Sequence, residues 1–200
     1  MKKELEIFKT RYSCRNFKNE SLKDEELKTL LEFARLSPSS LGLEPWKFIV
    51  CKDKTKLEEL SLIANHQEHV KNAAAVIIIV SRLDFAEYFE DKLRKRDMSE
   101  AEIQKRLKYK DFLTAMNQEQ KLAYAREQAH IALACILYGA NALNIASCPI
   151  GGFDKDKLDD YLKLETQKQR ASIMIALGLS ADEKIPQKER FSFEEVVEFI

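Results

Sequence analysis

The chain lacks an excess of charge of either sign. Its 33 lysine and arginine residues are balanced by 33 aspartate and glutamate residues, so the formal net charge at pH 7 is +0. A protein without a net positive field does not attract nucleic acid or an anionic membrane surface over long distances. We therefore expect no nucleic acid and no membrane among its partners, and any anion site has to be built locally.

Long hydrophobic runs are also missing. The longest apolar stretch, residues 131–145, is interrupted by Asn141 and Asn144. It is shorter than the roughly 20 residues that a membrane helix requires, so it is typical of a buried helix instead. Residues 1–4 contain none of the apolar core that directs export. The expected location is cytoplasmic.

Cysteine pairs and the common catalytic motifs are absent as well. The four cysteines lie far apart, without the spacing of a disulfide framework or a metal site, so we expect reduced thiols and no metal. The sequence contains no Gly-x-Gly-x-x-Gly, phosphate-loop, His-Glu-x-x-His or Gly-x-Ser-x-Gly pattern. Nucleotide binding through those loops is therefore not expected.

Short predicted strands are separated by predicted helices. Apolar residues at helical spacing predict a helix over 4–10, a second one that starts with a capping box at Ser21 and Asp24 and ends before Pro38, and a third over 54–65. Four segments without helical periodicity are predicted strands, at 46–51, 74–81, 147–150 and 173–179. These elements predict an α+β or α/β sandwich. Because no repeat or linker interrupts it, we expect a single domain over 1–200.

The segment 83–128 differs from the rest in composition. It is rich in charged residues, and Ser99 with Glu102 gives a capping signal, so it is predicted to be an exposed helical excursion. Core character returns over 124–143, where apolar residues cover most of the helix circumference. A helix buried on all sides indicates a subunit interface.

Three groups of residues are candidates for chemistry, and each has a purely structural alternative. Arg11 and Arg15 with the hydroxyls between them suit a phosphate, or form a solvated basic turn. Residues 37–46 form a proline-fixed loop whose hydroxyls and amides suit a ligand, or simply stop a helix. Two glycines in 148–153 let a flat ligand approach the backbone, or make a tight turn.

Taken in order, these groups resemble the FMN-dependent nitroreductase family from end to end. The matching features are Arg-x-Ser-x-Arg at 11–15, Pro-Ser-Ser at 38–40 followed by Pro-Trp at 45–46, and Lys188-Glu189-Arg190. The run 147–153 is similar to the oxygen-insensitive NAD(P)H nitroreductases that activate nitroimidazoles. The resemblance implies an α+β fold, a three-layer α/β/α sandwich with a central mainly antiparallel sheet, in a domain-exchanged homodimer.

The resemblance also implies an FMN at each of two dimer-interface sites. The residues it assigns to the cofactor are Arg11, Tyr12, Ser13, Arg15, Pro38, Ser39, Ser40, Gly42, His66, His69, Gln128, Pro149, Ile150, Gly151, Gly152, Lys188 and Arg190. Arg11, Ser13, Lys188 and Arg190 are implied to hold the phosphate and ribityl end. Arg15 is implied to lie at the pyrimidine edge, and residues 38–40 to come from the other subunit.

The implied catalytic contact is made by the backbone of Gly151. Its amide is expected to donate a hydrogen bond to flavin N5, although many relatives carry glutamate at this position. His66 or His69 is expected to face flavin O2, the alternative being two exposed loop histidines. Cys148 is expected to pack rather than react.

The implied activity is hydride transfer from NAD(P)H to FMN, followed by reduction of a small nitroaromatic or quinone acceptor in a ping-pong sequence. Tyr109, Phe112 and Met116 of the excursion are either lid residues over the flavin or aromatic and apolar side chains that pack downward. The alternative function is a non-catalytic FMN-binding protein that stores the cofactor or senses redox state.

Overall fold

The fold is an antiparallel sheet between two layers of helices. A computed structural model of the protein describes residues 5–200. The strands are β1 Trp46–Cys51, β2 Ala75–Arg82, β3 Ala146–Ile150 and β4 Gln169–Gly178. The helices are α1 Glu6–Thr10, α2 Asp24–Arg35, α3 Lys54–Ile63, α4 Glu68–Lys71, α5 Phe85–Arg94, α6 Glu100–Leu107, α7 Lys110–Ala115, α8 Gln118–Ala142, α9 Lys155–Tyr161 and α10 Phe193–Val196.

The four strands are adjacent in the order β1-β2-β4-β3, and each neighbouring pair is antiparallel. All four were predicted from the sequence. The central strands β2 and β4 are nearly continuous apolar runs because helices cover both of their faces. Pro149 is accommodated in β3 because this strand lies at the edge of the sheet, where a missing backbone donor costs little.

The side chains of each strand alternate between the two faces of the sheet. On one face Ile77 and Ile175 pack with α2 and α8 in one buried cluster. On the other face Val76, Ile78 and Met174 pack with residues of α3 and α9 in a second cluster. The predicted α+β three-layer α/β/α sandwich is therefore confirmed.

The start of α2 differs from the prediction. The helix begins at Asp24, and the N–H of Lys23 donates to the Glu26 carboxylate at 3.0 Å, so Ser21 and Asp24 do not form the capping box. The reason is the burial of Leu22, which joins the same apolar cluster as Leu27 and fixes the entry of the chain into the helix. Residue 4, where the first helix was expected to begin, lies outside the described residues.

The excursion consists of α5, α6 and α7, with a small apolar core of its own that includes Phe85, Phe89 and Ile103. The capping box predicted at Ser99 and Glu102 is present at the start of α6. The long helix α8 begins at Gln118, so the last residues of the predicted excursion belong to it. Within residues 5–200, no helix is both long and apolar enough to cross a membrane.

Candidate active site

Residues from both ends of the chain surround one pocket. Arg11, Tyr12 and Ser13 line it on one side, and Lys188 and Arg190 on the other, around a volume of about 310 Å³. The ammonium group of Lys188 donates to the backbone carbonyl of Arg11 at 2.6 Å, which ties the two segments together. Residues 177 positions apart in sequence are therefore neighbours, as the resemblance implied.

The pocket has more positive than negative charge. Its lining contains three cations and one acid, Glu189. The Nη1 atom of Arg11 is buried and has no hydrogen-bond partner within residues 5–200. Burial, and then the charges of Arg11 and Arg190, lower the pKa of Lys188. Buried donors are nearly always paired in proteins, so a buried guanidinium nitrogen that has no partner in residues 5–200 and lies among cations is suited to an anion from outside the chain.

A second group of predicted residues lies at the end of the edge strand β3. Ser13 forms a parallel bridge with Ser147, and the N–H of Cys14 donates to the Ser147 carbonyl at 3.1 Å. This pairing aligns residues 11–15 with β3. Gly151 follows β3 directly, and a Cβ atom added there would meet nothing within 4 Å. The backbone at Gly151 is therefore open to a ligand.

Two amide side chains hold the carbonyl of Gly152. Asn65 Nδ2 donates to it at 3.0 Å and Gln67 Nε2 at 2.8 Å. Sequence reasoning missed both residues. The only sequence feature that could have indicated Asn65 is its position at the end of a predicted helix. Asn65 has a φ of 57°, a left-handed conformation that asparagine tolerates better than most residues.

The two histidines between α3 and β2 have different environments. His66 is exposed, whereas His69 lies on α4 and is buried, so the expectation of two exposed loop histidines is wrong for His69. His69 Nε2 has no hydrogen-bond partner within residues 5–200. Burial, and then the charge of Arg15, lower the pKa of His69. Cys148 is also buried, as expected, and burial raises the pKa of its thiol.

The third group is the loop between α2 and β1. Ser39 Oγ accepts a hydrogen bond from the N–H of Glu44 at 2.8 Å. The N–H of Ser40 donates to Gln128 Oε1 on α8 at 2.8 Å, and the Tyr124 hydroxyl donates to Ser40 Oγ at 2.5 Å. Both serines and Gln128 therefore make hydrogen bonds within the chain that stabilise the loop.

The excursion holds the other end of this loop. Gly42 has a φ of 62°, and Arg96 donates to its carbonyl at 2.6 Å. Lys92 donates to the Leu43 carbonyl at 3.1 Å and forms an ion pair with Glu44 at 2.9 Å. Sequence reasoning missed Lys92 and Arg96, because contacts about 50 residues apart leave no local pattern.

The loop and α1, which precedes the pocket residues, contact different parts of α8. Asn141 Nδ2 donates to the Ile7 carbonyl of α1, which leads into Arg11, whereas Gln128 holds Ser40. These two positions on α8 are 13 residues apart in sequence. At about 1.5 Å per residue they are separated by roughly 20 Å along the helix. Within one chain, the loop and the helix that leads into the pocket therefore contact α8 at well-separated positions.

Known structures share this architecture. A nitroreductase family protein from Streptococcus pneumoniae TIGR4 is 26% identical, with a TM-score of 0.88 over 99% of this chain and 100% of that one. A structure from Exiguobacterium sibiricum 255-15, described as a nitroreductase in complex with FMN, is 20% identical, with a TM-score of 0.88 over 100% and 98% of the two chains. The second likeness is one of fold alone. The chain has the nitroreductase fold.

Sequence comparison gives the family. The profile of the Nitroreductase family matches residues 8–179. Relatives provisionally named NAD(P)H nitroreductase occur in Staphylococcus saprophyticus and Haemophilus influenzae, and each is 32% identical over 98% of this chain and 96% of its own length. The chain belongs to the Nitroreductase family. The predicted family and enzyme class, an oxidoreductase, are thereby confirmed.

Proposed function

We propose that this protein is an FMN-dependent oxidoreductase that takes hydride from NAD(P)H and reduces small acceptors such as nitroaromatics and quinones. The observation that carries the proposal is the buried Nη1 of Arg11, which has no partner within residues 5–200 and lines a pocket with Lys188 and Arg190. The FMN-bound Exiguobacterium structure and a Staphylococcus epidermidis structure described as an NAD(P)H:FMN oxidoreductase support it.

The pocket residues fit the phosphate of FMN. A guanidinium group offers fixed paired donors to phosphate oxygens, and Arg11 Nη1 is a donor without an acceptor in the part of the chain that the structure describes. Arg190, Lys188 and Ser13 would complete the set, with Tyr12 contributing through its backbone. Burial lowers the pKa of Lys188 most, and the charges of Arg11 and Arg190 lower it further. A phosphate would offset the repulsion from these two charges.

The end of β3 fits the flat ring of the cofactor. FMN supplies an isoalloxazine ring that accepts hydride when it is bound. Gly151 would present its backbone amide to the reacting edge, while Asn65 and Gln67 hold the next carbonyl in place. Arg15 would stabilise negative charge at the pyrimidine edge, with His69 beside it. His66 is exposed and less suited to this contact.

We further propose that a second copy of the chain completes the site. Pro38, Ser39 and Ser40, with Gly42 and Gln128 behind them, would serve the cofactor held by the partner. The separation of roughly 20 Å along α8 supports this division. Exposed aromatic residues near the C-terminus also support a partner, since large apolar side chains in water usually mark an interface. These are Phe191, Phe193 and Phe199.

The experiment is an absorption spectrum of the purified protein before and after anaerobic addition of NADPH. A flavin spectrum that bleaches with NADPH and returns when menadione or a nitrofuran is added is expected. A bound flavin that bleaches slowly or not at all would indicate storage or redox sensing instead. A colourless protein that does not take up added FMN would overturn the proposal.

Two companion measurements test the finer statements. Sedimentation equilibrium should give twice the chain mass, and a flavin-loaded monomer would contradict the shared site. Assignment to the subgroup that activates nitroimidazoles stays a prediction. Aerobic reduction of a nitroimidazole without futile oxygen consumption would support it.

A further inference from the structure

A separate pocket lies between the 39–42 loop and α6. Its volume is about 640 Å³, and it is lined by Leu41, Glu102, Lys105, Arg106, Lys108 and Tyr109. Leu41 follows Ser40, which the proposed function assigns to the cofactor ring of the partner. The pocket therefore adjoins the position where a nicotinamide dinucleotide would have to bind. The inference below rests on that proposed function.

The cations of this pocket differ from several other cations of the excursion. Lys92, Arg94 and Lys110 each form an ion pair with an acidic side chain at 2.9 Å. The pocket is lined by three exposed cations, Lys105, Arg106 and Lys108. None of them forms an ion pair within residues 5–200. None of the three charges is held in a salt bridge, although the charge of Arg106, after the hydrogen bonds from Ser99, helps to lower the pKa of Glu102.

The single acid of the lining is already engaged. Glu102 Oε2 accepts hydrogen bonds from the Ser99 N–H at 2.9 Å and from the Ser99 hydroxyl at 2.7 Å, as the capping box of α6. Neutralisation of the pocket by this carboxylate is incomplete, because one negative charge faces three positive ones. An anionic ligand would supply the missing charge.

An exposed aromatic ring lies next to these cations. Tyr109 is 51% exposed, and Phe112 on α7 is 57% exposed. In contrast, Ile103 and Leu113 nearby are buried. An aromatic face stacks on a nucleobase, while lysine and arginine bind phosphate. A ring beside three unpaired cations is therefore suited to a phosphorylated adenosine.

We propose that this pocket binds the adenosine end of the reductant and recognises the 2′-phosphate that distinguishes NADPH from NADH. The protein then uses NADPH in preference to NADH. Lys105 and Arg106 contact the phosphate, Lys108 contributes charge, and Tyr109 stacks on the adenine.

The test is the double substitution Lys105→Gln and Arg106→Gln in the full chain. With NADPH, kcat/KM is expected to fall about 10-fold, since two charge-assisted contacts at an exposed site are lost. With NADH, kcat/KM is expected to change by less than about 2-fold, because NADH lacks the recognised group. Lys95→Gln is the matched control, an exposed excursion lysine outside the pocket, and it should change neither value.

A binding measurement separates this inference from the proposed function. Calorimetric titration of the same proteins should show weaker binding of NADP⁺ in the double variant and unchanged binding of NAD⁺. An equal loss of affinity for both dinucleotides, or no loss for either, would overturn the inference. If the wild-type protein binds NADP⁺ selectively but oxidises neither reductant, the proposed function fails and the pocket assignment stands.

Discussion

The two regions assigned to one cofactor differ in how their polar groups are satisfied. In the pocket at the chain ends, Arg11 Nη1 is buried and has no partner among the described residues 5–200, and Lys188 lies near two other cations. In the loop between α2 and β1, Ser40 is bound by Gln128 and Gly42 by Arg96. The pocket therefore contains a donor that a ligand could use, whereas the loop is already stabilised by the chain itself.

This difference has a physical consequence for substitutions. A donor without an internal partner contributes little to folding and can be fully used for a ligand. A donor that already has an internal partner contributes to folding, and its loss leaves the partner unpaired. Substitutions in the pocket should therefore change cofactor affinity, and substitutions in the loop should change the free energy of unfolding.

The largest effect is expected for Arg11→Gln. The dissociation constant for FMN should rise roughly 10- to 100-fold, because a charge-assisted contact to phosphate is lost. The free energy of unfolding of the FMN-free protein should stay about the same, since the Nη1 atom that is lost has no hydrogen-bond partner within residues 5–200. Fluorescence titration with FMN and urea denaturation measure the two quantities.

Arg35→Gln is the matched control, because Arg35 lies on the exposed face of α2 and pairs with Glu32 at 2.8 Å. Wild-type FMN affinity in Arg11→Gln would show that the phosphate binds elsewhere. A large loss of stability in FMN-free Arg11→Gln would contradict the idea that pocket substitutions change cofactor affinity and not the free energy of unfolding.

The next effect is expected for Gln128→Met, which keeps the length of the side chain and removes the acceptor for the Ser40 N–H. The free energy of unfolding should fall by about 1–3 kcal/mol, because a partly buried donor is left without its partner. Tyr124→Phe removes a more exposed bond to Ser40 and should cost less than about 1 kcal/mol. Equal stability of the wild type and Gln128→Met would contradict the interpretation of the loop.

Two glycines sharpen the comparison further. Gly42→Ala should cost about 1–2 kcal/mol, because φ is 62° and the new Cβ would lie 2.5 Å from Arg96 Nη2. Gly151→Ala should change the free energy of unfolding by less than about 1 kcal/mol, since its Cβ would meet nothing within 4 Å. Thermal and urea denaturation of the two variants should separate them, and equal losses would be the contrary result.

The fold was largely predictable because its strands carry a local signal. β2 and β4 are dense in β-branched and apolar residues, and their burial on both faces requires such a composition. The start of α2 was not predictable from Ser21, because burial of Leu22 decided it. Helix α9 was missed because it is short and mostly charged.

The candidate site was predictable only in part. The motifs at 11–15 and 188–190 predicted residues that line one pocket in the structure. The amides of Asn65 and Gln67 were missed, since their partner Gly152 is more than 80 residues away. The burial of His69 was also missed, because a histidine between a helix and a strand has no apolar periodicity around it.

The smallest expected effect concerns this histidine. Burial and the charge of Arg15 hold the pKa of His69 below its ordinary value of 6.5. As the pH falls through about 6.5, the unfolded chain binds a proton that the folded protein binds less readily, so the free energy of unfolding should decrease. In His69→Gln this part of the pH dependence disappears, because glutamine does not titrate. Urea denaturation at pH 7.5 and 5.5 should show a smaller difference for His69→Gln than for the wild type or His66→Gln. The same difference in all three proteins would mean that His69 protonates as readily in the fold as in the unfolded chain.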